Sequence, residues 1–191
     1  VTLANLGNAY GALNMPADQH RMLERALRIQ ETAHGALSHE VAITLSSLGI
    51  AYGSQGDASG QYDALTRALE IFQRLGEAES LEASAVLVNL GNACGMRGDT
   101  MRKHQLLERA LCILEREYGP DHREVAITKY NLARALHACG KEDQATQMME
   151  EVTVLFAACF GKDHVNTASA RTAATTWRSG GQKPSPWRIR T

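Results

Sequence analysis

One short string returns along this chain at an unbroken spacing of 42 residues. Leu6-Gly7-Asn8-Ala9-Tyr10-Gly11 reappears as Leu48-Gly49-Ile50-Ala51-Tyr52-Gly53 and as Leu90-Gly91-Asn92-Ala93-Cys94-Gly95. A looser copy follows at Leu132-Ala133-Arg134-Ala135-Leu136-His137. A fixed period of this size means one structural unit stacked on copies of itself, each burying its apolar face against the next. The 191 residues therefore read as one elongated repeat domain. Aromatics are only 5% of the chain. Its core must be built from Leu, Ile, Ala and Met, which suit helix-on-helix packing better than strands.

Each unit carries two helical segments. Leu45, Leu48 and Tyr52 follow i, i+3, i+7 spacing, so they share one helix face. First helices are expected near residues 1–13, 40–55, 82–97 and 124–139. Gly56-Asp57, Gly98-Asp99 and Gly140-Lys141 break the units at matching places. Glycine past a helix takes the left-handed conformation cheaply, and Asp can cap the next helix. Second helices then carry Leu65, Ala68, Leu69, Ile71 and Phe72, with Leu23, Ala26, Leu27 and Ile29 before them. Leu107, Ala110, Leu111, Ile113 and Leu114 follow in the third unit; Met149, Val152, Leu155 and Phe156 follow in the fourth. Gly119-Pro120-Asp121-His122 and Gly161-Lys162-Asp163-His164 close their units, with Gly35 the first unit's remnant. The second unit departs at Leu75-Gly76-Glu77-Ala78-Glu79, which predicts a looser turn there.

Gly7 and Gly11 lie one above the other on a helix, as do Gly49 and Gly53, and Gly91 and Gly95. Interior glycine costs a helix about 0.5–1 kcal/mol against alanine, so the repetition points to close backbone approach. For the Gly11 series a second reading stays open: a missing side chain could widen an inner groove.

The units divide as 1–39, 40–81, 82–123 and 124–163. Residues 164–178 read as a capping helix, and 179–191 as a disordered basic tail holding Lys183, Arg188 and Arg190. A net charge of −1 gives no concentrated basic surface for nucleic acid. No apolar run reaches the length of a membrane span. No basic-then-apolar leader is seen, but the chain starts at Val1 in mid-repeat and reads as part of a longer protein. Cys94, Cys112, Cys139 and Cys159 are 18, 27 and 20 residues apart, each in an apolar helical pattern. Buried free thiols in a reducing, cytoplasmic setting are expected, and no metal site.

The pattern N-L-G-N-A-Y-G, then G-D, then L-L-E-R-A-L-x-I, then Y-G-P-D-H-x-E-V-A resembles the tetratricopeptide repeat. Its 42-residue form is that of kinesin light chains and nephrocystin-type proteins. The likeness covers residues 1 to about 170. It implies an all-α fold: antiparallel helix pairs stacked into a right-handed superhelical solenoid, whose first helices line a concave peptide-binding groove. One departure is plain. The small residue usual early in the second helix is Gln19, Gln61 and Lys103 in three units, and only Ala145 conforms.

In peptide-gripping members of the family, polar side chains of the first helices reach the ligand backbone. The matching positions are Asn5, Ser47, Asn89 and Asn131 in one row, and Asn8, Ile50, Asn92 and Arg134 in another. Candidate binding residues are thus Asn5, Asn8, Asn89, Asn92, Asn131 and Arg134. An amide offers donors and an acceptor to an extended chain, although the same amides could instead join adjacent repeats. With Arg134 the one cation on these rows, a carboxylate clamp is not expected.

Catalytic patterns are missing. Gly140-Lys141-Glu142 and Gly161-Lys162-Asp163 lack the glycine spacing and hydroxyl of a phosphate loop, and no H-E-x-x-H occurs. The chain is expected to be no enzyme and to need no cofactor. Two functions remain. One is an adaptor or scaffold for peptide segments and partner proteins; the other is the sensor array of a larger signalling NTPase whose nucleotide domain lies outside this chain.

Overall fold

The computed structural model describes residues 2–180. Among them are nine α-helices: α1 (Thr2–Ala12), α2 (Pro16–His34), α3 (His39–Ser54), α4 (Ala58–Arg74), α5 (Leu81–Met96), α6 (Thr100–Tyr118), α7 (Arg123–Ala138), α8 (Glu142–Phe160) and α9 (Val165–Arg178). The tail expected at 179–191 lies, from residue 181 on, outside the described residues. The chain forms two compact units that divide between Glu117 and Tyr118. Both are all-α and built from antiparallel helix pairs of the solenoid type.

Five helix ends close identically. The amide of the third residue past the helix donates to a carbonyl five residues back: Asp57 to Tyr52 at 3.0 Å, Asp99 to Cys94 at 2.9 Å, Lys141 to Leu136 at 3.0 Å. Met15 does the same to Tyr10 at 2.9 Å, and Glu77 to Phe72 at 2.8 Å. This ring needs a left-handed residue just before it. Gly56, Gly98, Gly140 and Gly76 supply it, and Asn14, with φ 56°, fills the same place after α1. Asparagine is among the few side chains that tolerate that region.

Helix starts are equally regular. Ser38 and Ser80 cap α3 and α5, accepting from Val41 and Ala83. His122 and His164, 42 and 84 residues past Ser80, cap α7 and α9: the amides of Glu124 and Asn166 donate to their Nδ1 atoms, each at 3.2 Å. Each imidazole also stacks on the last residue of the preceding helix, Tyr118 or Phe160. A turn role thus accounts for both histidines. The turn after α4 is not loose. It is the same closed ring shifted back by a residue, which frees Glu77 to meet His39 Nδ1 at 2.6 Å.

In the first unit the core runs from Val41 and Leu45 through Leu65, Leu69 and Phe72 to Leu87, Leu90 and Ile113. Leu23, Leu48, Ala51 and Ala64 form a cluster beside it. In the second unit Met149, Val152 and Phe156 pack with Ala126, Ala133 and Ala170. Ile29 breaks the expected pattern: it is exposed, whereas Ile71 and Ile113 at the equivalent places are buried.

The paired glycines are packing devices. A Cβ on Gly49 would lie 2.5 Å from Leu65 Cγ, and one on Gly7 2.8 Å from Leu23 Cγ. The Gly11 series opens no groove, because the long side chains of the next helix occupy the space. A Cβ on Gly11 would meet the Gln19 amide at 2.5 Å, on Gly53 the Gln61 amide at 2.7 Å, and on Gly95 the Lys103 Cδ at 2.7 Å. The unusual Gln19, Gln61 and Lys103 are therefore the counterpart of the glycines. Where the second helix has Ala145, fully buried, the first has His137 instead of glycine. Volume is traded between the two helices of each pair.

The cysteines correct their expectation. Cys94 is buried, Cys139 is half-buried, and Cys112 and Cys159 are exposed. The last two sit on the solvent side of second helices, where apolar spacing alone did not reveal the face. Burial, with Asp99 nearby, pushes the Cys94 thiol up. A maleimide at neutral pH is expected to label Cys112 and Cys159 rapidly and Cys94 only on unfolding. Rapid labelling of Cys94 in the folded protein would contradict its place in the core.

Candidate functional site: the first-helix face

Within the first unit α1, α3 and α5 lie side by side, each contacting the next. Neighbouring packed helices run about 8–10 Å apart, so residues 42 apart line up across them. Asn5, Ser47 and Asn89 form one such row, and Asn8, Ile50 and Asn92 the next. Asn5, Asn8 and Ile50 are exposed, while Ser47, Asn89 and Asn92 are half-buried.

The joints between repeats are made by other residues. Buried Thr44 donates to Gln30 Oε1 at 2.7 Å, and Gln55 Nε2 donates to the Pro16 carbonyl at 2.9 Å. Arg67 pairs with Glu31. Arg109 binds the Glu79 carboxylate at 3.1 Å and the Ala78 carbonyl at 3.0 Å. Sequence reading did not find these ties. Their signal was the arginine recurring at 25, 67 and 109. Among the described residues, no hydrogen bond joins the Asn5, Asn8, Asn89, Asn92 or Asn131 side chain to a neighbour.

The face is nearly free of charge. α1 has no Asp, Glu, Lys, Arg or His, α3 has only His39 and Glu40, and α5 only Glu82, all in first turns. A backbone hydrogen bond at the start of α3 holds the Glu40 carboxyl below its ordinary value. The second helices carry the charges instead. In the first unit this face can therefore offer hydrogen bonds and apolar contact, but no ion pair along its length.

In the second unit Asn131 and Arg134 sit three apart on α7, half-buried and exposed respectively. The Arg134 guanidinium lies 5.8 Å from the Tyr130 ring centre. His137 stacks on Trp177 of α9 at 4.3 Å. The structure brings Asn5, Asn8, Asn89 and Asn92 into rows within the first unit and places Asn131 and Arg134 together in the second. A further concavity of about 360 Å³ opens between α2, α3 and α4, floored by Leu45, Leu48 and Tyr52. Gly60 lets the start of α4 lie close to Tyr52, since a Cβ there would lie 2.7 Å from the Tyr52 ring. Among the described residues no group of three His, Cys, Asp or Glu could hold a metal. No described helix is long and apolar enough to cross a membrane.

The sequence model of the tetratricopeptide repeat matches residues 1–39, 84–124 and 125–166. The interval between the first two matches contains the displaced Gly76 turn. Solved structures agree on the fold. A Podosopora anserina protein described as a putative kinesin light chain with nearly identical TPR-like repeats superposes with a TM-score of 0.78 at 19% identity, over 95% of this chain and 87% of that one. A point variant of the same protein gives 0.79 at 19%, over 95% and 86%. BtubC (BKLC) from P. vanneervenii gives 0.65 at 22% identity, over 99% of this chain and 67% of that one. No curated protein matches the sequence.

The chain belongs to the tetratricopeptide repeat family. It is a protein-interaction repeat scaffold, in a family that is generally non-enzymatic.

Proposed function

We infer that the scaffold holds extended, largely uncharged peptide segments of partner proteins along the first-helix face, and performs no chemistry on them. The observation that carries this reading is the pair of rows through Asn5, Asn8, Asn89 and Asn92. They place amides that no described residue hydrogen-bonds at matching positions of α1 and α5, on a face lacking ionic side chains. An extended peptide has its own donors and acceptors to satisfy, and amides serve both. Ile50, exposed between them, adds apolar contact. In the second unit, Asn131 and Arg134 offer similar chemistry on α7, with a cation for an occasional acidic residue. On this reading the partners are proteins rather than nucleic acid, in a cytoplasmic setting. The helix pairs of each unit are the working repeats, and α9 caps α8 in the second unit. The similarity to kinesin light chain-type repeats favours this adaptor role over a sensor array attached to an NTPase.

The test starts from peptides selected on the chain from a displayed random library. Selected peptides are expected to be poor in charged residues. The double variant Asn89→Ala, Asn92→Ala should remove hydrogen bonds worth about 0.5–1.5 kcal/mol each, weakening binding roughly tenfold or somewhat more, with little change in Tm. Unchanged affinity beside a clear drop in Tm would assign these amides to stability and end the groove reading.

A further inference from the structure

The concavity between α2, α3 and α4 has a counterpart one repeat later, and the two differ in what fills them. In the later one Leu106 of α6 is 7% exposed and belongs to the core cluster that holds Leu90 and Cys94, the equivalents of Leu48 and Tyr52. At the place of Leu106 α4 has Ala64, and at the place of Arg102 it has Gly60. The hollow of about 360 Å³ is thus a property of these residues and not of the repeat itself. α3 packs against both α2 and α4, so the hollow lies between two stacked repeats rather than at an end of the stack.

Its rim is charged, and the charges are sorted by end. His20 meets the Tyr52 ring edge-on at 4.7 Å, and Gln30 accepts from Thr44. α2 therefore runs antiparallel to α3, with Glu24 nearer the Tyr52 end and Arg28 nearer the Leu45 end. On α4, Gly60 lies against Tyr52 and Leu65 against Gly49, which sets Asp63 towards the Tyr52 end and Arg67 towards the Leu45 end. Arg67 is already held by Glu31, and Glu24 lies 3.3 Å from His20 Nε2. Asp63 and Arg28 form no ion pair with a described residue. The acidic end is the stronger. Burial, together with the Glu24 and Asp57 carboxylates, holds the Tyr52 phenol above its ordinary value.

We propose that this hollow is a second docking site, and that its occupant is a partner-protein segment in which one large apolar residue has a lysine or arginine on one side. The apolar side chain rests on Leu45 and Leu48, in the space that Leu106 fills one repeat later. The cation lies at the Tyr52 end, against Glu24 and Asp63, where complementary charge fixes the direction of the segment. Arg28 at the other end disfavours a second cation, so a uniformly basic segment is excluded. Leu45, Leu48 and Tyr52 point away from Ser47 and Ile50 around α3. The site is therefore separate from the asparagine rows and does not rest on the peptide reading of that face.

The probe is a displayed random peptide library, selected on the whole chain and then compared on its Ala64→Leu variant. That variant should keep its Tm, because leucine is the residue the chain itself packs at the equivalent place. Peptides held by the unaltered chain and lost on Ala64→Leu are expected to share an apolar residue with a lysine or arginine on one side. The tightest of them, fluorescently labelled and titrated, should bind Asp63→Lys at least tenfold more weakly. Asp63 is exposed, so this second variant leaves the fold intact. Exchanging the peptide's base for glutamate should restore binding to Asp63→Lys. The Asn89→Ala, Asn92→Ala variant should bind the labelled peptide unchanged, which separates failure here from failure of the groove reading. No peptides lost on Ala64→Leu, lost peptides without the base, or no recovery in the charge-swapped pair would overturn the proposal. So would sedimentation showing a dimer of the unaltered chain that Ala64→Leu abolishes, since a second copy would then hold the site.

Discussion

Leu90→Ala is expected to destabilise the first unit by about 2–5 kcal/mol, the range for emptying a fully buried leucine site. Leu90 is 2% exposed and shares a cluster with Leu65, Phe72, Leu87 and Ile113 from three helices. The void cannot be closed by one neighbour without disturbing the others. Repeat arrays are held by nearest-neighbour contacts, so hydrogen exchange should quicken first in α5 and in α4 and α6 beside it. Protection in α7–α9 should change least. Equal loss of protection in both units would mean a single cooperative core and contradict the division at Glu117.

Gly49→Ala is expected to lower stability by up to about 2 kcal/mol, although alanine is the better helix former by roughly 1 kcal/mol. The added methyl would stand 2.5 Å from Leu65 Cγ, and Leu65 has no exposed surface into which to move. Overpacking of that kind costs about 1–3 kcal/mol. Two sister substitutions set the scale. At Gly91 the nearest atom, Leu107 Cγ, is 3.3 Å away, so Gly91→Ala should be neutral or slightly stabilising. At Gly53 the obstacle is the Gln61 amide, the mobile end of a long side chain, so Gly53→Ala should be tolerated. Thermal melts of the three variants should rank Gly49→Ala well below the others. Indistinguishable melts would remove the packing explanation for the glycines.

The fold was legible because its information is periodic. A 42-residue register repeats every apolar face, and errors in one unit are corrected by the others. Helix starts came within a residue: α3, α5 and α7 begin at His39, Leu81 and Arg123. What stayed hidden depends on relations across a turn. Gly11 and Gln19 each look like a fault in the sequence, and only the antiparallel pairing shows that one answers the other. The turn at Asn14 escaped for a simpler reason. The residue is not glycine, and a lone asparagine gives little warning of a left-handed backbone. Cys112 and Cys159 show the limit of apolar spacing, which marks a helix but not always its buried side. At the candidate site the two rows followed directly from the register. The ties between repeats did not, since Arg67 and Arg109 reach partners 36 and 30 residues back that occupy no common repeat position.

The exchange of bulk between Gly95 and Lys103, set against His137 and Ala145, also limits how such genes can be rearranged. A whole helical hairpin carries both halves of its bargain and can be duplicated, deleted or transplanted intact. A crossover falling inside a hairpin separates them. Joining the His137 type of first helix to the Lys103 type of second would force two long side chains into one place. The reverse recombinant would leave glycine facing alanine across a hole, with the stability loss of any unfilled core site. Viable recombinants should therefore have their junctions between hairpins, in the turns after α2, α4, α6 and α8.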